Sequence, residues 1–296
     1  MPQNHTRSLL SLYLAAILLS CNGLFAKGIP LDSVSIAQLR SIVAVIAVLV
    51  LFSVQRKSWR LPSSSDYIKT YCLGALLGLH WITFFASMQV STVAIGMVAL
   101  YSYPVITVII EPALDKKWPH LSDIFAALIV LIGVLVMIPE TSSEGGWQLN
   151  TTTLAGVGLG LISAVLFSVR NTLQRRLLTN IDASSSTLHQ FLIIGVVLIP
   201  FVDWESVSTF KPYNYAQIIG LGVVTTALAH SLLVASLRHL SAKTVAMIGC
   251  IQPPVAALIA WLVLGEQPVL LVIIGGAIVL SVAVFETLRP YQPPRK

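Results

Sequence analysis

Charge is what this sequence has least of. Only 10% of its 296 residues are Asp, Glu, Lys or Arg, 56% are apolar, and the mean hydropathy is +0.85. A soluble domain carries roughly a quarter charged residues. A chain this poor in charge cannot cover a globular surface with polar groups, but lipid can cover it. Cysteine is scarce too. Cys21, Cys72 and Cys250 each sit in an apolar stretch and form no CxxC pair. A disulfide framework or a metal site is therefore without support, and the three read as small residues of a membrane core. No Walker A sequence occurs, so ATP hydrolysis within the chain is not expected. Nor is there an HExxH-like cluster of His, Asp or Glu at one water interface, as an enzyme acting on lipid would want. No catalytic group, cofactor or metal is expected. The net charge of +6 raises nucleic acid as a partner, but the distribution of the bases argues against it.

What the sequence has in abundance is long apolar runs. A hydrocarbon core of ~30 Å needs about 20 apolar residues in a helix. Ten segments meet that standard: 9–27, 34–54, 68–88, 91–113, 122–139, 154–174, 184–202, 215–237, 241–263 and 269–287. Gly28-Ile29-Pro30, Pro62-Ser63-Ser64-Ser65 and Gly145-Gly146 mark connections. Backbone groups inside lipid must be satisfied internally, so helices are the natural spanning element. Arg7 followed by an apolar run to Leu18-Leu19-Ser20-Cys21 has the form of a lipoprotein signal. The run continues past Cys21 to Ala26, and the helix count expects it to stay as the first span.

Lys and Arg orient the spans. Alternate loops hold Arg7; Arg56, Lys57, Arg60 and Lys69; Lys116 and Lys117; Arg170, Arg175 and Arg176; Arg238 and Lys243; Arg289, Arg295 and Lys296, fifteen of the eighteen bases. The remaining three are Lys27, Arg40 and Lys211. Both termini are thus expected in the cytoplasm, in a multi-pass protein of the cell membrane (the inner membrane of a Gram-negative cell). The bases anchor helix ends and form no continuous stripe for nucleic acid.

The two halves resemble each other. With an offset of 150 residues, 80–114 aligns with 230–264 without a gap, pairing His80 with His230, Ser91 with Ser241, Met97 with Met247 and Pro104 with Pro254. Five helices per half is odd, so the second half enters the membrane upside down. The expected fold is an all-α integral membrane protein of ten transmembrane helices, two inverted five-helix repeats over 8–139 and 154–288. Such repeats are a common plan for secondary transporters, because two similar halves in opposite orientations give two states of similar energy. Pro104 and Pro254, with Pro253, are expected near mid-helix. Each deletes an intrahelical hydrogen bond, giving either a hinge or a static kink. Gly74-x-x-x-Gly78 and Gly156-x-x-x-Gly160 match the close-packing pattern of membrane helices.

On these residues the sequence resembles the EamA-like family of the drug/metabolite transporter superfamily. The resemblance covers nearly the whole chain and is most specific over Gln252-Pro253-Pro254-Val255-Ala256-Ala257 through Leu264-Gly265-Glu266. The first copy, Tyr103-Pro104-Val105-Ile106 through Leu114-Asp115-Lys116, departs from the pattern by placing Lys116 where the Glu would stand. Ala37-Gln38-Leu39-Arg40 resembles a family feature, an arginine early in the second helix. The resemblance implies export of small metabolites, amino acids among them.

Intramembrane ionisable groups cost ~2.5–3.5 kcal/mol at mid-helix on insertion scales and are functional candidates by default. His80 and His230 fall ~18 and ~23 Å into their helices at 1.5 Å per residue, near the centre. Thr83, Phe84 and Ser87 share a face with His80, and Thr226 shares one with His230. The pair reads either as a cavity for a small amphipathic solute or as structural histidines bonding between helices. Tyr101 and Tyr103 before Pro104, Phe167 in the sixth span and Asn22 in the first are further candidate substrate-binding residues. Lys27 and Arg40 lie towards the outer side, at least one of them snorkelling to the headgroups. Glu111 and Asp123 lie near helix ends, and no carboxylate falls clearly at the midplane. The expected partners are a small-molecule substrate and the lipid bilayer. The leading expectation is a secondary transporter working by alternating access, a facilitator, an exchanger or a carrier coupled to protons through histidine. A membrane channel and a non-transporting scaffold are the alternatives. The internal repeat favours a site within one chain and sets no oligomeric state.

Overall fold

The computed structural model describes residues 2–22, 29–91, 93–136, 151–264 and 270–288, and every regular element among them is helical. In chain order these are α1 (Pro2–Ser20), α2 (Ser33–Gln55), α3 (Ser64–Val90), α4 (Val93–Leu100), α5 (Tyr103–Leu114), α6 (Leu121–Val136) and α7 (Thr151–Leu177). Then follow α8 (Ala183–Val197), the short α9 (Trp204–Ser208), α10 (Pro212–Gly220), a π-helical stretch Leu221–Leu228, and α11 (Ala229–Leu237). The last are α12 (Ala242–Gly249), α13 (Gln252–Leu264) and α14 (Leu270–Leu288). Six helical stretches are long and apolar enough to cross a membrane: 33–55, 64–90, 151–177, 212–237, 242–259 and 270–288. Shorter apolar helices cover 103–114, 121–136 and 183–197. The protein is an all-helical, multi-pass membrane protein.

Local chemistry accounts for the ends. Asp32 caps α2 by accepting from the backbone N–H groups of Val34 and Ser35, and Asp182 caps α8 by accepting from Ser185. At the other end of α2, Arg56 adopts a left-handed conformation (φ 52°) and returns its N–H to Phe52 and Ser53. The expected spans over 34–54 and 269–287 thus differ from the observed helices by a residue at each end; of the span expected over 9–27, residues 9–20 lie in α1, which starts earlier, at Pro2, and 23–27 lie outside the described residues.

The expected single helices over 91–113 and 241–263 are each two helices. α4 ends at Leu100 and α5 begins at Tyr103; α12 ends at Gly249 and α13 begins at Gln252. Pro104 and Pro254 therefore sit in the first turn of a new helix instead of mid-helix. Neither can donate to the carbonyl four residues back. The chain tightens at both joints with bonds to the third residue back: Ser102 to Ala99 and Val105 to Ser102 at one, Cys250 to Met247 and Ile251 to Ile248 at the other.

The chain forms two compact units, 1–82 with 173–240 and 83–172 with 241–296, so each draws on both sequence halves. The boundaries fall inside α3 and α7. In the first unit α2 packs on α8 and on the π-helical stretch, and α1 on α11. Gly74 and Gly78 let α3 approach Gln190, Ile193 and Ile194 of α8, and buried Gln190 donates to Gln174 (2.8 Å) and Ser186 (2.9 Å). In the second unit α14 packs on α6, and α12 on α5 and α14. Gly156 and Gly160 admit Ser91 and Ala99. Both small-residue motifs thus serve close packing.

Burial is inverted relative to a soluble protein. Ile46, Val50 and Val54 on α2, Phe125, Ile129 and Ile132 on α6, and Ile273, Val284 and Phe285 on α14 are exposed, whereas Gln38, Arg40, His80, Asp123, Arg170, Gln190, His230 and Glu286 are buried. Large exposed apolar faces require a non-aqueous partner, and buried polar groups require partners inside the bundle.

Candidate functional site

The candidate residues lie in both units: His230 meets a cluster around Trp81 in the first, and Tyr101 and Phe167 meet Tyr103 in the second. In the first unit the centre is Trp81 on α3. The Arg40 guanidinium lies over its ring, 4.3 Å from the centroid. His230 meets it edge-on at 5.2 Å, and Phe191 stacks at 6.0 Å. Arg40 Nε donates to Thr226 Oγ1 at 2.8 Å. Thr226 in turn donates to the Leu221 carbonyl five residues back (2.7 Å), and Thr225 Oγ1 donates to the same carbonyl (2.9 Å). Both hydroxyls thus crowd the Leu221 carbonyl at the start of the π-helical stretch. Gly222 permits this segment to lie against the backbone of α2: a Cβ there would fall 3.0 Å from the Arg40 carbonyl oxygen.

Arg40 is 1% exposed. It does not snorkel, because its stem turns inward to the Trp81 face and the Thr226 hydroxyl; Lys27 lies outside the described residues. Arg170, assigned from sequence to a loop, is likewise fully buried, inside α7, with Nη1 donating to Asn171 Oδ1 at 2.9 Å. His80 and His230 are both buried. Asn22 Oδ1 is buried and accepts no hydrogen bond among the described residues.

In the second unit, Phe84 packs against Phe85 (5.7 Å), with Thr83 beside them on α3 half-buried. Tyr101 and Tyr103 flank the joint between α4 and α5, their rings 6.1 Å apart, and Tyr103 meets Phe167 edge-on at 5.2 Å. The Tyr103 hydroxyl donates to the Ala246 carbonyl on α12 at 2.8 Å. Its own carbonyl accepts from Thr107 (2.7 Å) and Ser168 (2.9 Å). Ser87, grouped from sequence with His80, instead donates to the Gly156 carbonyl at 2.6 Å and serves helix packing.

Three carboxylates gather where the sequence signalled none. Both oxygens of Glu111 accept from the first turn of α12, from the N–H groups of Ala242 (2.9 Å) and Lys243 (2.8 Å). Asp123, 3% exposed, accepts from Lys243 Nζ, and Glu286, 5% exposed, accepts from Thr244 Oγ1 at 2.6 Å. Reading Glu111 and Asp123 as helix-end residues of open position thus missed their role. The signal was Ser241-Ala-Lys-Thr244, a cap followed by a base at the start of an apolar helix, which gathers acids from neighbouring helices.

Apolar outer faces, helices of spanning length and ionisable groups lodged inside define a polytopic membrane protein with a polar interior, the class in which carriers are built. The profile of the EamA-like transporter family matches residues 6–138 and 154–287, so the chain belongs to that family, within the drug/metabolite transporter superfamily, and is a membrane transporter. It is 22% identical over 220 residues to the uncharacterized transporter YxxF of Bacillus subtilis, covering 74% of this chain and 69% of that protein. An uncharacterized transporter of Archaeoglobus fulgidus is 23% identical over 274 residues, covering 92% and 93%. A protein of known crystal structure superposes with a TM-score of 0.79 at 15% identity, covering 96% of this chain and 97% of its own, a likeness of fold alone.

Proposed function

We propose that the protein is a secondary transporter that exports small metabolites, amino acids among them, by alternating access. In this reading the chain crosses the membrane ten times as two inverted five-helix repeats over 8–139 and 154–288, with both termini in the cytoplasm. The observation that carries it is the pair of matched helix joints. The breaks at Tyr101–Ser102 and Cys250–Ile251 fall within one residue of each other when the halves are aligned with the offset of 150 residues, each just before its proline. Broken helices within internal repeats are where transporters bind solute and hinge. Pro104 and Pro254 are the hinges. His80, Thr83, Phe84, Tyr101, Phe167, His230 and Asn22 line the solute path, supported by the burial of His80 and His230 and by the Asn22 side-chain carbonyl, buried with no donor among the described residues.

Counterflow in proteoliposomes tests this. Vesicles loaded with an amino-acid mixture should take up labelled amino acids with wild type and lose most of that uptake with a well-folded His80→Ala. Equal uptake by both would remove His80 from the path. No uptake of any amino acid by folded wild type would eliminate this substrate class and bring the scaffold role forward.

A further inference from the structure

Helix α12 is eight residues long and tied at both its start and its middle. Its first turn is held by carboxylates from three other helices: Glu111 of α5 on two backbone N–H groups, Asp123 of α6 on the Lys243 ammonium, and Glu286 of α14 on Thr244. The Ser241 hydroxyl completes the cap by accepting from the Thr244 N–H at 3.0 Å. One turn further on, the Ala246 carbonyl receives the Tyr103 hydroxyl. At its far end α12 is separated from α13 by the joint at Cys250–Ile251, held by bonds to the third residue back, Cys250 to Met247 and Ile251 to Ile248. The positive end of a helix dipole and a lysine are thus clamped by three acids at the start of α12.

We infer that this clamp is a charge latch, and that α12 swings about the Cys250–Ile251 joint when it opens. The Tyr103 hydroxyl connects the latch to the aromatic cluster. A solute group that takes the Tyr103 hydroxyl frees the Ala246 carbonyl and loosens α12 one turn from the latch. The repeat carries no second copy of the latch: Val93 and Trp261 stand at the positions equivalent to Lys243 and Glu111. A single latch biases the carrier towards the state in which its side is shut. The link to solute and to sidedness rests on the transporter reading; the latch itself does not.

The test is therefore made without solute. Val245, 2% exposed on α12, is replaced by cysteine in a chain carrying Cys21→Ser, Cys72→Ser and Cys250→Ala, and its reaction with a maleimide is timed. Glu111→Gln and Lys243→Gln should each speed labelling about ten- to a hundredfold, the factor for losing one hydrogen bond to a charged group. Thr244→Val, which removes the hydroxyl bonded to Glu286 and to the Ser241 hydroxyl but leaves Glu111 and Asp123 in place, should give a smaller rise and serves where the first two fold poorly. Gly133→Ala is the control for general loosening of this unit, since its Cβ would press on Val279 and the Gly275 carbonyl, away from the latch. Latch variants that label faster than Gly133→Ala at matched melting temperature support the latch. Equal rates at matched stability, or wild-type rates in all three latch variants, overturn it. If transport assays fail while labelling responds, the proposed export of small metabolites is wrong and the latch stands.

Discussion

Arg40 and Lys243 are both cations drawn into a membrane protein, and their surroundings differ in kind. Lys243 is met by a full negative charge, Asp123, with Glu111 and Glu286 beside it. Arg40 rests on the face of Trp81 and the hydroxyl of Thr226, and every acidic residue of its unit, Asp32, Asp66, Asp182, Asp203 and Glu205, is at an exposed or half-buried position. The difference follows from the two head groups. Guanidinium is planar, delocalised and weakly hydrated, so a π-face and one well-placed acceptor suit it; an ammonium is a compact point charge that needs charged acceptors. A dipole-lined site keeps its charge when its neighbours move slightly, whereas an ion-pair site opens or closes. The first is suited to a permanent feature of the interior, the second to a contact that breaks.

Exchanging the head groups is the strongest way to break this comparison. Arg40→Lys should cost about 3 kcal/mol of stability, the combined loss of a hydrogen bond to a charged group and a desolvated cation–π contact. Lys243→Arg should cost less than about 1 kcal/mol, because a guanidinium also bonds a carboxylate. Denaturant unfolding in detergent, followed by tryptophan fluorescence, reads both. Comparable losses would mean that the surroundings of the two cations do not discriminate between them.

A smaller effect is expected one step removed from Arg40. Gly222→Ala puts a Cβ 2.5 Å from Val43 Cβ and 3.0 Å from the Arg40 carbonyl. The π-helical stretch must then draw back from α2, carrying Thr226 away from Arg40, at about 2 kcal/mol for an overpacked contact. Combined with Arg40→Lys the losses should fall short of additive, since both act on the same hydrogen bond. Strict additivity in the double mutant would show that Gly222 matters for packing only.

Much of this was legible in advance, and the rest was not for identifiable reasons. Hydropathy located α2 and α14 to within a residue, because lipid selects on one property summed over a long window. The joints before Pro104 and Pro254 were legible as disruptions, but whether a proline bends a helix or ends it depends on what receives the freed carbonyls. At the first joint Ser168, from another helix, donates to the Tyr103 carbonyl and ties down the start of α5. Arg40 and Arg170 were misassigned because a sequence window scores a charge by itself. The groups that make Arg40 tolerable inside, Trp81 and Thr226, lie on other helices, and Gly222 lets the stretch carrying Thr226 approach. Asp123 and Glu286 were missed for the same reason: their partners on α12 are remote in sequence. The Thr225-Thr226 pair was the one local sign of the π-helical stretch.

The smallest expected effect separates a buried acid from an exposed one. Asp203 caps α9, accepting from the Ser206 hydroxyl and from the Ser206 backbone N–H at 3.0 Å, and these bonds hold its carboxyl below the usual range. A carboxyl with a depressed folded value contributes its stability above the unfolded value, near 3.9, and loses it as pH falls through the folded one. The stability difference between wild type and Asp203→Asn should therefore be constant at neutral pH and shrink as the pH falls below about 4. Because Asp203 is exposed, that difference should also fall with added salt, while the difference for Asp123→Asn, buried against Lys243, should hardly respond. Equal salt sensitivity at the two sites would mean that water reaches Asp123 as freely as Asp203, and that the α12 clamp already stands open at rest.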